Sequence, residues 1–256
     1  MSIDSQFPKS GVLVLPEVIS SDLNAKLRDA YFECYEQCRR LQEKYGIASV
    51  TTNTVHHVFF MNEAFAELLE CSDYMSTIQT FFGGSKFILN SLGGNNNTGK
   101  QNYASEVHRD VRFFSQDPLM LNTIIAVSGF TEINGPTEFL LGSQNKAEKP
   151  TKEEFDKNCV SFTCPPGSIV FFDSRIWHRA GAPTGPVDER IIYTPIFTRT
   201  FVKQGYNYAR RLNENGADKY SEHIAQLMGY FSDVPNNHDQ WYNLSDRRYY
   251  LAGQDE

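Results

Sequence analysis

The chain has 256 residues, of which 40% are apolar and 21% charged, a balance that excludes global disorder and leaves enough length to bury a full core without staples. Lys and Arg number 24 against 31 Asp and Glu, so the net charge is −7 and the basic surplus of a general nucleic-acid binder is missing. No run approaches the ~20 apolar residues of a membrane helix, the first apolar run is too short for a signal-peptide core, and 5 irregularly spaced Cys make no disulfide framework; a cytoplasmic protein is expected.

In chain order, GVLVLP at 11–16 reads as a short buried strand. Ser20, Ser21 and Asp22 then offer N-caps for a helix running to about Tyr45. Leu23, Leu27, Ala30, Tyr31, Cys34 and Cys38 recur at three- and four-residue steps, which marks one buried stripe. Cys34 and Cys38 share that stripe as free thiols, because a zinc site lacks further ligands at suitable spacing. Two more helices are predicted over 63–70 and 74–82. From Lys86 the texture changes to short Ile-, Val-, Phe- and Thr-rich runs between Gly, Pro and Asn turns: 87–89, 107–114, 121–127, 137–141, 161–163, 169–172 and 191–197. The Gly- and Asn-rich stretch 93–100 reads as a mobile loop. Helices are expected again at 206–212 and 221–228. The pattern is a single domain over 1–256 with a barrel or sandwich core, N-terminal helices packed on one sheet, and a helical, polar extension over 201–256.

Two of the 6 His sit in informative contexts. His108 and Asp110 are two apart, so on an extended segment they point the same way. His178 follows an apolar strand and a short turn. Two imidazoles and one carboxylate on one side of a metal leave three positions open, the arrangement of non-haem Fe(II) oxygenases. Around this set lie NGPTEFLLGSQ at 134–144, PPGS at 165–168, and Arg190 twelve residues beyond His178 at the start of another β run.

This ordered set resembles the phytanoyl-CoA dioxygenase-like family of Fe(II)/2-oxoglutarate-dependent oxygenases over roughly residues 11–200. The resemblance implies a double-stranded β-helix of the jelly-roll or cupin type. It implies that His108, Asp110 and His178 bind Fe(II), with 2-oxoglutarate and dioxygen as cosubstrates. Arg190 would hold the distal carboxylate of 2-oxoglutarate, since a guanidinium stays charged and forks onto a carboxylate. Members often carry Ser or Thr two residues after the second histidine; here Ala180 stands there, leaving Thr194 or Asn90 to supply that bond. Asn122 or Thr123 is a further candidate to face the cosubstrate. Related halogenases have a small residue in place of the carboxylate, so Asp110 points to hydroxylation, or a related oxidation, of a small soluble metabolite with release of succinate and CO2.

Candidate substrate contacts are Arg112, Arg175, Tyr103 and His57, with His56, Asn95 and Lys100 beside them. Phe113, Phe114, Phe171, Phe172 and Trp177 are candidates for a dry wall. Two alternatives stand next to the oxygenase: a non-catalytic ligand-binding member, and a cupin-type metal enzyme that does not use 2-oxoglutarate. Neither a membrane nor a nucleic acid is an expected partner, and the oligomeric state is open.

Overall fold

A computed structural model of the protein describes residues 9–99, 103–111 and 113–242. The strands are β1 (Val12–Leu15), β2 (Thr54–Val55), β3 (Phe87–Asn96), β4 (Met120–Ala126), β5 (Glu138–Phe139), β6 (Val160–Ser161), β7 (Ser168–Asp173), β8 (His178–Arg179) and β9 (Ile191–Arg199). The helices are α1 (Ser21–Lys44), α2 (Ala64–Leu69), α3 (Ser72–Phe81), α4 (Lys152–Asn158), α5 (Tyr208–Asn215), α6 (Glu222–Leu227) and α7 (His238–Tyr242). Six strands form one antiparallel sheet in the order β1-β7-β4-β9-β3-β2, and a smaller sheet has the order β6-β5-β8. This is the jelly-roll architecture that the resemblance implies, and it agrees with the barrel or sandwich core read from the strand pattern.

Period-two alternation gives the large sheet two different sides. Leu13, Leu121, Ile125, Ile169, Phe171, Tyr193 and Phe197 point outward into one core with the helices. There α1 contributes Leu23, Leu27, Ala30, Tyr31 and Cys34, and α2 and α3 contribute Phe65, Leu68, Tyr74 and Ile78. The predicted stripe of α1 is therefore the buried one, and Ser20 caps the helix by accepting from the Leu23 amide at 3.2 Å. On the inner side, Val12, Ile124, Ala126, Val170, Phe172 and Ile192 meet Phe139 of the small sheet.

Two expectations about local structure are corrected. The stretch read as a loop from Gly93 is strand as far as Asn96, paired with both β2 and β9. Its glycines answer to crowding. A Cβ on Gly94 would lie 2.6 Å from the Ile192 carbonyl and 2.7 Å from the Tyr193 ring, and one on Gly93 would lie 2.8 Å from the Val55 carbonyl. Conversely, among the described residues of 107–114 only His108 pairs, in an isolated bridge to His178, and they form no strand.

Candidate active site

His178 opens β8, and main-chain bonds tie it to His108 in both directions, at 3.0 Å from the His108 amide and 2.9 Å from its own. Each imidazole places Nδ1 against a main-chain carbonyl, His108 on Glu106 at 2.7 Å and His178 on Ile176 at 3.0 Å. A carbonyl only accepts, so both Nδ1 atoms carry the proton and both Nε2 lone pairs are available. Those Nε2 atoms each lie 3.7 Å from Asp110, His108 from Oδ1 and His178 from Oδ2. The ring centroids are 4.3 Å apart, and one donor atom from each residue lies within 4.8 Å of the others. Burial pushes the His178 imidazole below its usual range, with Asp110 opposing and His108 adding to the shift. A neutral imidazole is the form that ligates a metal.

The Asp110 segment is shaped by the turn after β7. The amides of Asp110 and Val111 both donate to the Ser174 carbonyl, at 3.0 and 3.2 Å. Asn122, on the inner side of β4, donates through Nδ2 to Asp110 Oδ2, and the Ser174 hydroxyl donates to Asn122 Oδ1. Arg109, between His108 and Asp110, turns away: it donates to the carbonyls of Lys146 and Ala147 and lies 4.7 Å over the Trp177 ring. Phe172 packs edge-on against His178 at 4.7 Å, and Phe139 lies 6.1 Å from the same ring.

Arg190 is 1% exposed and shares the inner side of β9 with Ile192 and Thr194. Among the described residues its Nε and Nη2 have no hydrogen-bond partner, and Cζ lies 5.1 Å over the Phe130 ring. Burial brings its pKa down to about 10, which still leaves it charged at neutral pH. A buried, unpaired charge costs several kcal/mol, so such a group calls for an anionic ligand. Its main chain is fixed, because Asn96 Oδ1 accepts the Arg190 amide at 2.8 Å and the Asn97 amide donates back at 3.1 Å. Glu189 beside it is held from α1 by Arg28 through two bonds of 2.9 and 2.7 Å.

The family described as Phytanoyl-CoA dioxygenase (PhyH) matches residues 7–190, a span that takes in all four of these residues. The chain belongs to that family. The PhyH cofactor set is Fe(II), with 2-oxoglutarate and dioxygen as cosubstrates, and the two-histidine, one-carboxylate donor set and the orphaned guanidinium both fit it. Two uncharacterized proteins, Rv1501 of Mycobacterium tuberculosis and Mb1539 of Mycobacterium bovis, are each 34% identical over 153 residues, 59% of this chain and 56% of theirs. The chain thus spans little more than half the length of these curated relatives. The crystal structure of EctD from S. alaskensis with 2-oxoglutarate and 5-hydroxyectoine shares the fold at a TM-score of 0.61 and 17% identity, covering 78% of this chain and 77% of EctD.

Within this PhyH chain the other expected residues divide sharply. Thr194 lies on the inner side of β9 opposite Gly93. Asn122 lies on the inner side too, but its amide is taken up by Asp110 and Ser174, whereas Thr123 faces outward to Tyr74 and the Pro195 carbonyl. Asn90 sits at the irregularity of β3 and donates to the Lys203 carbonyl at 3.1 Å, so it ties down the C-terminal region. Arg175 is buried and fully engaged: Asp173 holds Nε and Nη2, and the carbonyls of Ser115 and Gln116 hold Nη1. It is a brace between two loops. His57, at φ +53°, stacks on Tyr206 at 4.9 Å with Nδ1 3.0 Å from the Tyr208 hydroxyl, and burial pushes its pKa down. Tyr103 opens a short turn whose Ala104 carbonyl accepts the Ala180 amide at 2.7 Å. Arg112 and Lys100 lie outside the described residues. Of the five aromatics expected in a dry wall, Phe172 is the one whose ring packs on His178. Phe171 faces the outer core, Trp177 lies under Arg109, and Phe113 and Phe114 are 60% and 42% exposed.

Proposed function

We propose that the chain is an Fe(II)/2-oxoglutarate-dependent hydroxylase acting on a C–H bond of a small soluble metabolite, with release of succinate and CO2. The observation that carries this reading is the pairing of an unpartnered, buried Arg190 with the His108–Asp110–His178 cluster. Bound Fe(II), with 2-oxoglutarate and dioxygen, supplies the oxidising power for C–H cleavage; the protein supplies binding, orientation and a dry site. His108 and His178 offer Nε2 lone pairs, and Asp110 fills the ligand position that halogenation needs free. Arg190 forks onto the distal carboxylate of 2-oxoglutarate, and Thr194 is the inner-side hydroxyl that stands in for the group absent at Ala180. Phe172 and Phe139 keep water from the His178 ring.

The test is anaerobic absorption spectroscopy of the protein with Fe(II), before and after 2-oxoglutarate. A visible metal-to-ligand charge-transfer band is expected, absent in His178→Ala and weakened in Arg190→Ala. Succinate release then serves to screen candidate metabolites. Folded wild-type protein that shows no band with both ligands in excess overturns the reading in favour of a binding protein or a cupin-type metal enzyme without 2-oxoglutarate.

A further inference from the structure

We infer that Asn122 and Ser174 form a positioning pair that commits one oxygen of Asp110 and leaves the carboxylate a single oxygen to offer a metal. The inference rests on the functional reading above and concerns residues that act through Asp110.

The proton inventory closes without choice. An ionised carboxylate only accepts, so the group that Asn122 presents to Asp110 Oδ2 is its NH2. The amide oxygen then faces Ser174, and because that oxygen only accepts, the Ser174 hydroxyl must donate. Ser174 is fully buried and Asn122 nearly so, which leaves water little access to either bond. Ser174 therefore grips Asp110 twice, through its carbonyl on the Asp110 amide and through Asn122 on the side chain. The turn that carries Ser174 is itself fixed. Asp173 Oδ1 accepts the Arg175 amide and Nε, both at 2.9 Å, and Arg175 reaches across to the Ser115 carbonyl at 3.1 Å.

The chemical consequence is geometric. A carboxylate free to rotate can bind a cation through both oxygens and take up a further coordination position. One oxygen held by an amide N–H favours single-oxygen binding and keeps three positions for other ligands. Partners that orient metal ligands in this way are worth roughly 10–100-fold in metal affinity.

The probe is Mn(II), titrated against wild type, Asn122→Leu, Ser174→Ala and the double variant, with thermal melting to establish folding. The charge-transfer band with Fe(II) and 2-oxoglutarate is a second readout. Each single variant is expected to bind Mn(II) about 10–100-fold more weakly and to shift or weaken the band. The double variant is expected to fall well short of the summed losses, because both changes break one chain of bonds. Thr123→Val is the control: it adjoins Asn122 but faces the other way, and it should lower the melting temperature without moving Mn(II) affinity. Should Asn122→Leu fail to fold, Ser174→Ala, which removes one hydroxyl, decides alone. Folded single variants that bind Mn(II) within about twofold of wild type overturn the inference and leave the functional reading standing. A wild type that holds no Mn(II) overturns both.

Discussion

The two sides of the large sheet are built from the same strands and do opposite work. On the outer side the alternate residues are apolar and meet the helices: Leu121, Ile125, Tyr193 and Phe197 pack with Leu27, Phe65 and Tyr74. On the inner side of the same strands polar residues interrupt the apolar ones: Asn122 before Ile124 on β4, and Thr194 after Ile192 on β9, with Arg190 just ahead of that strand. Thr123 and Asn122 make the contrast at its closest. Thr123 donates to the Pro195 carbonyl at 2.9 Å and accepts from Tyr74 at 2.6 Å, all within the outer core, while Asn122 donates to Asp110 of the His108–Asp110–His178 cluster. A one-residue step thus separates stability from chemistry, since alternate side chains point to opposite sides.

Mutations can break this division or sharpen it. The largest effect is expected from Leu27→Ala, a fully buried outer-core site, at about 2–5 kcal/mol of stability, with Mn(II) affinity retained in the folded fraction. Chemical denaturation beside a metal titration checks it, and a loss of metal affinity in folded protein would show that the two sides are coupled. Arg190→Met should go the other way. Removing an unpaired buried charge is expected to raise ligand-free stability by roughly 1–4 kcal/mol while abolishing the melting shift induced by 2-oxoglutarate. If the ligand-free melting temperature falls instead, Arg190 has a structural partner. Thr123→Val is expected to cost about 1–3 kcal/mol by stranding the Tyr74 hydroxyl, readable by thermal melting. The smallest effect concerns Cys34, whose thiol burial pushes up to about 12. A raised pKa keeps it protonated through pH 9, so iodoacetamide at pH 8 should leave it unmodified until the protein unfolds. Mass spectrometry of native and denatured samples distinguishes the outcomes.

Much of this was legible in the residues themselves. The stripe on α1, the strand alternation and the shared side of His108 and Asp110 follow from spacing, whereas the joining of His178 and Arg190 to them was implied by the resemblance to the family. What stayed hidden was set by neighbours distant in sequence. Gly93 and Gly94 carry turn chemistry locally, yet their reason for being glycine is a carbonyl and a ring on adjacent strands. Residues 107–114 alternate like a strand, but the partner after His108 is the Ser174 turn. Arg175 had a visible clue in Asp173, two residues earlier, and α4 had one in Thr151, which accepts from the Glu154 amide at 3.1 Å as an N-cap. The bond from Ser174 through Asn122 to Asp110 spans three separate segments and left no local trace.

The crowding at Gly94 also bears on how the protein can be re-engineered. With a carbonyl and an aromatic ring both under 3 Å from where any Cβ would sit, every amino-acid substitution there forces β3 and β9 apart. A saturation library over this sheet should therefore return only glycine at that site. Useful diversity has to be sown in the connecting segments, which can lengthen or change shape without prising two strands from each other.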